Sequence, residues 1–331
     1  MAETADPTPG DPALDTLRGL ACGLGAVLIW GCYFSFGRSG TTAGLGAADF
    51  TLLRHATALA VCLPLVVWWG LRDLGGIGWG RATVLAALVG PASIALGLGG
   101  LSFAPLSHAA IIQPSTAALS GIAAGALLLR EPLPARRLLG TALIIAGIAL
   151  IAGRGLETSG ASAWVGDLMF VCAGLLWTGF TLLLRHWRLD GVRAAVALNV
   201  VSGLVFVPLW LLLADRSALA AAPPSMLVVQ ALVQGLLSGV AAVMLYARAV
   251  GHLGASRAAL FPAMVPTATL LVSVPITGEW PQPIAWLGAA LASVGLAVAM
   301  AGAGRAKAVA PPALPTRHRS GSDQPNAKNG L

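Results

Sequence analysis

The chain has 331 residues, 57% of them hydrophobic and 10% charged, with a mean hydropathy of +0.82. A water-soluble domain carries about 25% charged residues to keep its surface wet, so this composition excludes a soluble globule and makes lipid the solvent. The net charge of +7 lies in short loops and the C-terminal tail, which argues against a nucleic-acid partner and for basic cytoplasmic loops.

Residues 1–17 contain Glu3, Asp6, Asp11 and Asp15 but no Lys or Arg, unlike the basic start of a signal peptide. They read as a cytoplasmic N-terminal tail before a retained first span. A spanning helix needs about 20 apolar residues. Apolar stretches then follow at 19–37, 50–71, 82–103, 107–129, 136–153, 165–184, 194–214, 226–247, 256–277 and 283–303. Ten spans with the N-terminus inside put 16 Lys and Arg on the cytoplasmic side and 4 outside. That asymmetry orients both termini to the cytoplasm of a multi-pass inner (plasma) membrane protein. Residues 304–331 are Pro-rich, polar and basic, the composition of a disordered tail. The four cysteines fall inside apolar stretches without metal-ligand spacing and read as packing residues.

The halves repeat. At an offset of 147, Gly19 matches Gly166 and Trp30 matches Trp177. At 148, Pro114 matches Pro262, Glu131 matches Glu279, Gly140 matches Gly288 and Gly147 matches Gly295. Five spans per half is an odd number, so the second half enters the membrane inverted. Inverted repeats recur in secondary transporters, with the substrate site near midplane between them. Such a chain can complete a pathway as a monomer, and a homodimer is equally compatible with the sequence.

Particular segments are familiar. SFAPLSHAAIIQPSTAALSGIAAGALLLREPLPARRLLGTALIIAGIALIAG resembles the end of an EamA-type repeat, with its Pro-containing helix, LLxEPL loop and LLGxxLIxAGIxL helix. ASRAALFPAMVPTATLLVSVPITGEWPQPIAWLGAALASVGLAVAMAG is similar in order. AVLIWGCYFSFGR and FTLLRHATALAVCLPLV resemble the family's first two helices. The resemblance implies an all-α integral membrane protein of the drug/metabolite transporter superfamily, with ten transmembrane helices in two inverted five-helix EamA repeats at 18–153 and 164–303. It further implies transport of small metabolites, amino acids or drugs, often outward. In one respect the second half departs from the pattern: it lacks the early Arg of the second helix and has Asn199 in mid-helix.

Polar side chains within spans are costly unless they face a wet cavity or the bundle interior. Gln113, Thr116 and Ser120 share one helical face, as do Gln230, Gln234 and Ser238. Each stripe either lines a cavity or bonds helix to helix. Pro114, Pro262 and Pro266 interrupt helices and free backbone carbonyls, as tolerated kinks or as hinges. Trp30 with Tyr33, and Trp177 with Thr181, form either a substrate-facing aromatic wall or helix packing; Tyr246 and Phe261 join the aromatic candidates. Arg54 and His55 begin the second span near Asp49. Arg54 attracts an anionic group, pairs with Asp49, or snorkels to the headgroups. His108 and Arg257 read as interface residues, and Trp68, Trp69, Trp79, Trp164, Trp187 and Trp280 as an aromatic belt.

No span carries a mid-membrane Asp, Glu or Lys, so a facilitative or gradient-driven carrier is expected, or coupling through Arg54, His55 or Asp49. No GxxxxGK[ST], HExxH or GxSxG motif occurs, which argues against ATP drive, an intramembrane enzyme, a metal or any cofactor. The expected partners are a small-molecule substrate and membrane lipid. The expected function is secondary transport of small molecules by alternating access, as an exporter; the alternative is translocation of a lipid-linked or nucleotide-sugar cargo.

Overall fold

A computed structural model describes residues 12–129, 134–152, 162–258, 260–277 and 283–302. The C-terminal tail, Glu131, Glu279 and Trp280 lie outside the described residues. Every regular element described is helical: α1 (Pro12–Thr42), α2 (Ala47–Trp69), α3 (Trp79–Val89), α4 (Pro91–Gly99), a 3₁₀ turn (Gly100–Ser102), α5 (Leu106–Leu129), α6 (Ala135–Ala152) and α7 (Ala163–His186). There follow α8 (Gly191–Leu213), α9 (Ser217–Ala221), α10 (Pro224–Gln230), a π-helical stretch (Ala231–Ala241), α11 (Ala242–Leu253), α12 (Ala255–Ala258), a 3₁₀ turn (Phe261–Met264), α13 (Val265–Thr277) and α14 (Pro283–Gly302).

Seven helical runs are long and apolar enough to cross a membrane, from Ala13–Thr42 to Pro224–Leu253. Phe261–Ile276 and Trp286–Ala299 are shorter apolar helices, and α6 opens on Arg136 and Arg137. Length and composition therefore mark seven of the ten expected spans. The first helix begins at Pro12, inside the stretch read as a tail. Its added turns carry Asp15, 3.8 Å from Arg18 and 3.7 Å from His252.

Among the described residues the third, eighth and ninth expected spans are not uniform helices, the ninth running through α12 and a 3₁₀ turn before α13. The third breaks at Gly90–Pro91, where Pro91 starts α4; proline lacks the N–H that would continue α3 but suits a first turn. The eighth contains the π-helical stretch between α10 and α11. The repeat offset of 148 carries Gly90 onto Ser238, inside that stretch, so corresponding spans are irregular at corresponding depths. Among spanning segments, interrupted helices are tolerated where they line a cavity or are covered by protein.

The packing carries the same symmetry. Helix α1 lies against α11 and α13, and α7 lies against α4 and α5. The self-corresponding pairs α2 with α8 and α6 with α14 also touch. Without a strong hydrophobic drive between lipid-bathed helices, close backbone approach through small residues supplies the contact energy. In α6 and α14 that approach is reciprocal. A Cβ on Gly140 would meet Gly295 O at 2.5 Å, and one on Gly295 would meet Gly140 O at 2.7 Å. One on Gly147 would meet Gly288 O at 2.5 Å. The pair is thus antiparallel and sealed by the glycines that the repeat duplicates.

Candidate functional site

The two halves enclose a central cavity of about 590 Å³, its mouth included. Trp30, Tyr33 and Phe34 from α1, Arg54 from α2, and Gln113, Pro114 and Ala117 from α5 line it. Val89, Ser93 and Ile94 come from either side of the α3–α4 break. The second half contributes Trp177 from α7, Ser238 from the π-helical stretch, Pro262 and Val265. Three lining pairs are repeat equivalents: Trp30 with Trp177, Pro114 with Pro262, and Ala117 with Val265. The cavity therefore sits on the axis relating the halves.

Its aromatic wall is a contact across that axis. The rings of Trp30 and Trp177 meet edge to face at a centroid distance of 5.3 Å, a favoured aromatic geometry. Tyr246, 2% exposed, backs both indoles at 5.5 and 5.7 Å and is not itself among the lining residues.

The polar wall centres on Arg54, which is buried rather than snorkelling. Its Nη1 donates to Gln234 O at 3.0 Å and to Ser238 Oγ at 3.0 Å, and Nη2 donates to Ser238 O at 3.4 Å. Asp49 does not pair with it: that carboxylate accepts the Gly46 N–H at 2.9 Å and caps α2. The Arg54 guanidinium stands 5.8 Å from the Tyr33 ring centroid. Gly97 admits Gln113 and Tyr33 beside it, since a Cβ there would lie 3.0 Å from Gln113 Oε1 and 3.1 Å from Tyr33 OH.

Several residues singled out in the sequence sit elsewhere. Gln234 is wholly buried and donates to Tyr33 O and Gln230 Oε1, both at 3.1 Å. Asn199 donates to Ala195 O and Gly239 O, both at 2.9 Å, bonding α8 to the π-helical stretch. Thr116 packs at Gly174, whose Cβ would meet it at 2.7 Å. Phe261 fills the space beside Gly23. His55 is fully buried, with Phe206 6.5 Å away, centroid to centroid. None of these lines the cavity, nor does Pro266. A buried polar side chain is costly without a partner, and the Gln234 and Asn199 amide nitrogens each donate to a backbone carbonyl of a neighbouring helix. His108, read as an interface residue, is 3% exposed and lies 2.7 Å from Asp167 Oδ1, joining α5 to α7. Ser93, Val89 and Ile94 were not singled out; the Gly90–Pro91 break beside them is the sequence signal that marks them. Among the described residues no group of three or more His, Cys, Asp or Glu is placed to hold a metal.

An all-helical membrane protein with a cavity shared by two related halves is the class that this architecture defines. The chain matches the EamA-like transporter family over residues 17–153 and again over 164–301. It belongs to that family, and both matches together cover most of its length. A solved structure described only as a crystal structure of a protein has the same fold, with TM-score 0.64 and 17% identity over 89% of this chain and 100% of that one. No curated protein matches the chain.

Proposed function

We propose that the protein is a secondary transporter of small organic solutes, working by alternating exposure of the central cavity. The observation that carries this reading is the set of repeat-equivalent residues meeting in one cavity. Where inverted halves supply equivalent walls, exchanging their conformations exchanges the side to which the cavity opens, at little cost in energy. The α3–α4 break and the π-helical stretch give the rocking halves places to bend, since irregular helix absorbs rotation more readily than an unbroken hydrogen-bond ladder. In this reading the chain crosses the membrane ten times. The helices α6, α13 and α14 complete the ten crossings, and both termini are cytoplasmic in the inner membrane. Export is the direction the family resemblance favours.

The test is counterflow. Purified protein in liposomes preloaded with unlabelled solute is expected to accumulate the same labelled solute transiently and saturably, for one class in an amino-acid and metabolite panel. Absence of exchange for every class, by protein with an intact thermal transition, would overturn the proposal.

A further inference from the structure

Arg54 supplies the formal charge in the cavity lining, and no Asp or Glu joins it there among the described residues. Arg54 is 6% exposed. Its acceptors are two carbonyls and a hydroxyl, all neutral, and among the described residues it forms no ion pair. An unneutralised cation withdrawn from water is among the costliest groups a protein can hold. Its Nε–H has no partner. That hydrogen shares one edge of the guanidinium with Nη2, and such an edge receives a carboxylate through two parallel bonds. Two more buried polar atoms of the lining lack partners, Tyr33 OH and Gln113 Oε1.

The repeat shows that packing does not require this charge. The offset of 148 carries Arg54 onto Ser202 and Ser238 onto Gly90. Ser202 Oγ approaches the position of a Gly90 Cβ to 2.5 Å and makes no hydrogen bond there, so the equivalent segments in the other half pack closely without a cation. The duplicated contact holds helices together; the unduplicated charge serves something else.

We infer that the cavity takes a monovalent organic anion, its carboxylate on the Nε edge of Arg54 and its apolar or aromatic body against Trp30 and Trp177. A zwitterion or cation is disfavoured, because its ammonium meets no carboxylate in the lining. As a statement about cargo, this rests on the carrier reading; as a statement about binding, it does not.

Matched probes test it. Benzoate, 3-phenylpropionate and indole-3-propionate are each compared with the corresponding primary amide and amine, and phenylalanine serves as the zwitterion. Binding is read by calorimetry and by thermal stabilisation of the purified protein, and transport by counterflow. At least one carboxylate is expected to bind about ten- to a hundredfold more tightly than its amide, the range of a charge-assisted hydrogen bond, while the amines and phenylalanine bind more weakly than the carboxylate. Arg54→Gln is expected to erase that ranking. Because Arg54 also ties α2 to the π-helical stretch, the wild-type ranking is decisive by itself. If no carboxylate outbinds its amide, or an amine binds best, the inference is overturned. Exchange of neutral or cationic solutes without anions would overturn it and leave the carrier standing. Anion binding without exchange by any solute would support the site and count against the carrier.

Discussion

At the residue scale, similar side chains have different tasks according to which face of which helix they occupy. Gln113 and Gln234 are both mid-helix glutamines on polar stripes, and either stripe satisfies the spacing expected of a cavity wall. Both leave a buried Oε1 without a partner, but Gln113 lines the cavity. Gln234 spends its amide on Tyr33 O and Gln230 Oε1 and lines nothing. Gln113→Ala is therefore expected to lower solute exchange severalfold with little change in melting temperature. Gln234→Ala is expected to lower stability by about 1–2 kcal/mol, the cost of losing a buried hydrogen bond and stranding its partner. Melting curves and counterflow on the same two preparations check both; reversed effects would refute the assignment. Arg54 teaches the same lesson. Its position near the start of a span suggests an anchor in the headgroups, but the helix that covers it decides otherwise.

At the scale of elements, glycine has two uses here. In α6 and α14 it opens flat faces through which two backbones touch. Around the cavity it makes room for larger groups, as Gly97 does for Gln113 and Tyr33. Close backbone contact leaves no space for a branched side chain, and overpacking typically costs about 1–3 kcal/mol. Gly140→Val and Gly295→Val are each expected to lower the melting temperature, and by similar amounts because the contact is reciprocal. Gly251→Val in α11, where a Cβ would meet nothing within 4 Å, is the control expected to leave it unchanged. A fall for Gly251→Val matching the other two would assign the effect to helix propensity instead of packing. The helix breaks were partly legible. Gly90–Pro91 is a plain interruption signal, whereas the π-helical stretch has no residue that announces it. Its register is held by contacts from elsewhere: Arg54 on Gln234 O and Ser238, and Asn199 on Gly239 O.

At the scale of the whole molecule, inversion makes a claim about sides. The turn after α1 and the turn after α7 are repeat equivalents, yet the proposed inverted topology puts them across the membrane from each other. In a variant with Cys22, Cys32, Cys62 and Cys172 replaced by Ala, single cysteines at exposed positions report this. Ala43→Cys and Ser217→Cys are expected to react with an impermeant maleimide from outside intact cells. Asp73→Cys and His186→Cys are expected to react only after permeabilisation. Labelling of Ala43→Cys and His186→Cys from the same side would refute the inverted topology.

The sequence by itself determined the solvent, the repeat and the family, because each is written in quantities that do not depend on distant contacts. Charge content, apolar run length and the spacing of Trp, Pro and Gly survive any folding of the chain. The tryptophan and proline pairs that meet in the cavity were also visible, since duplication places equivalent residues about a shared axis. Only the tertiary structure decided which face of each polar helix meets the cavity. It separated Gln113 from Gln234, placed Arg54 inside the bundle, set Tyr246 behind the indoles, and put Asn199 and Thr116 at helix contacts. In a soluble protein the apolar face of a helix names its buried side; in a membrane helix lipid and protein are both apolar, so hydrophobic periodicity no longer tells inside from outside. The neighbouring helix supplies that information, and it comes from residues far away in the chain.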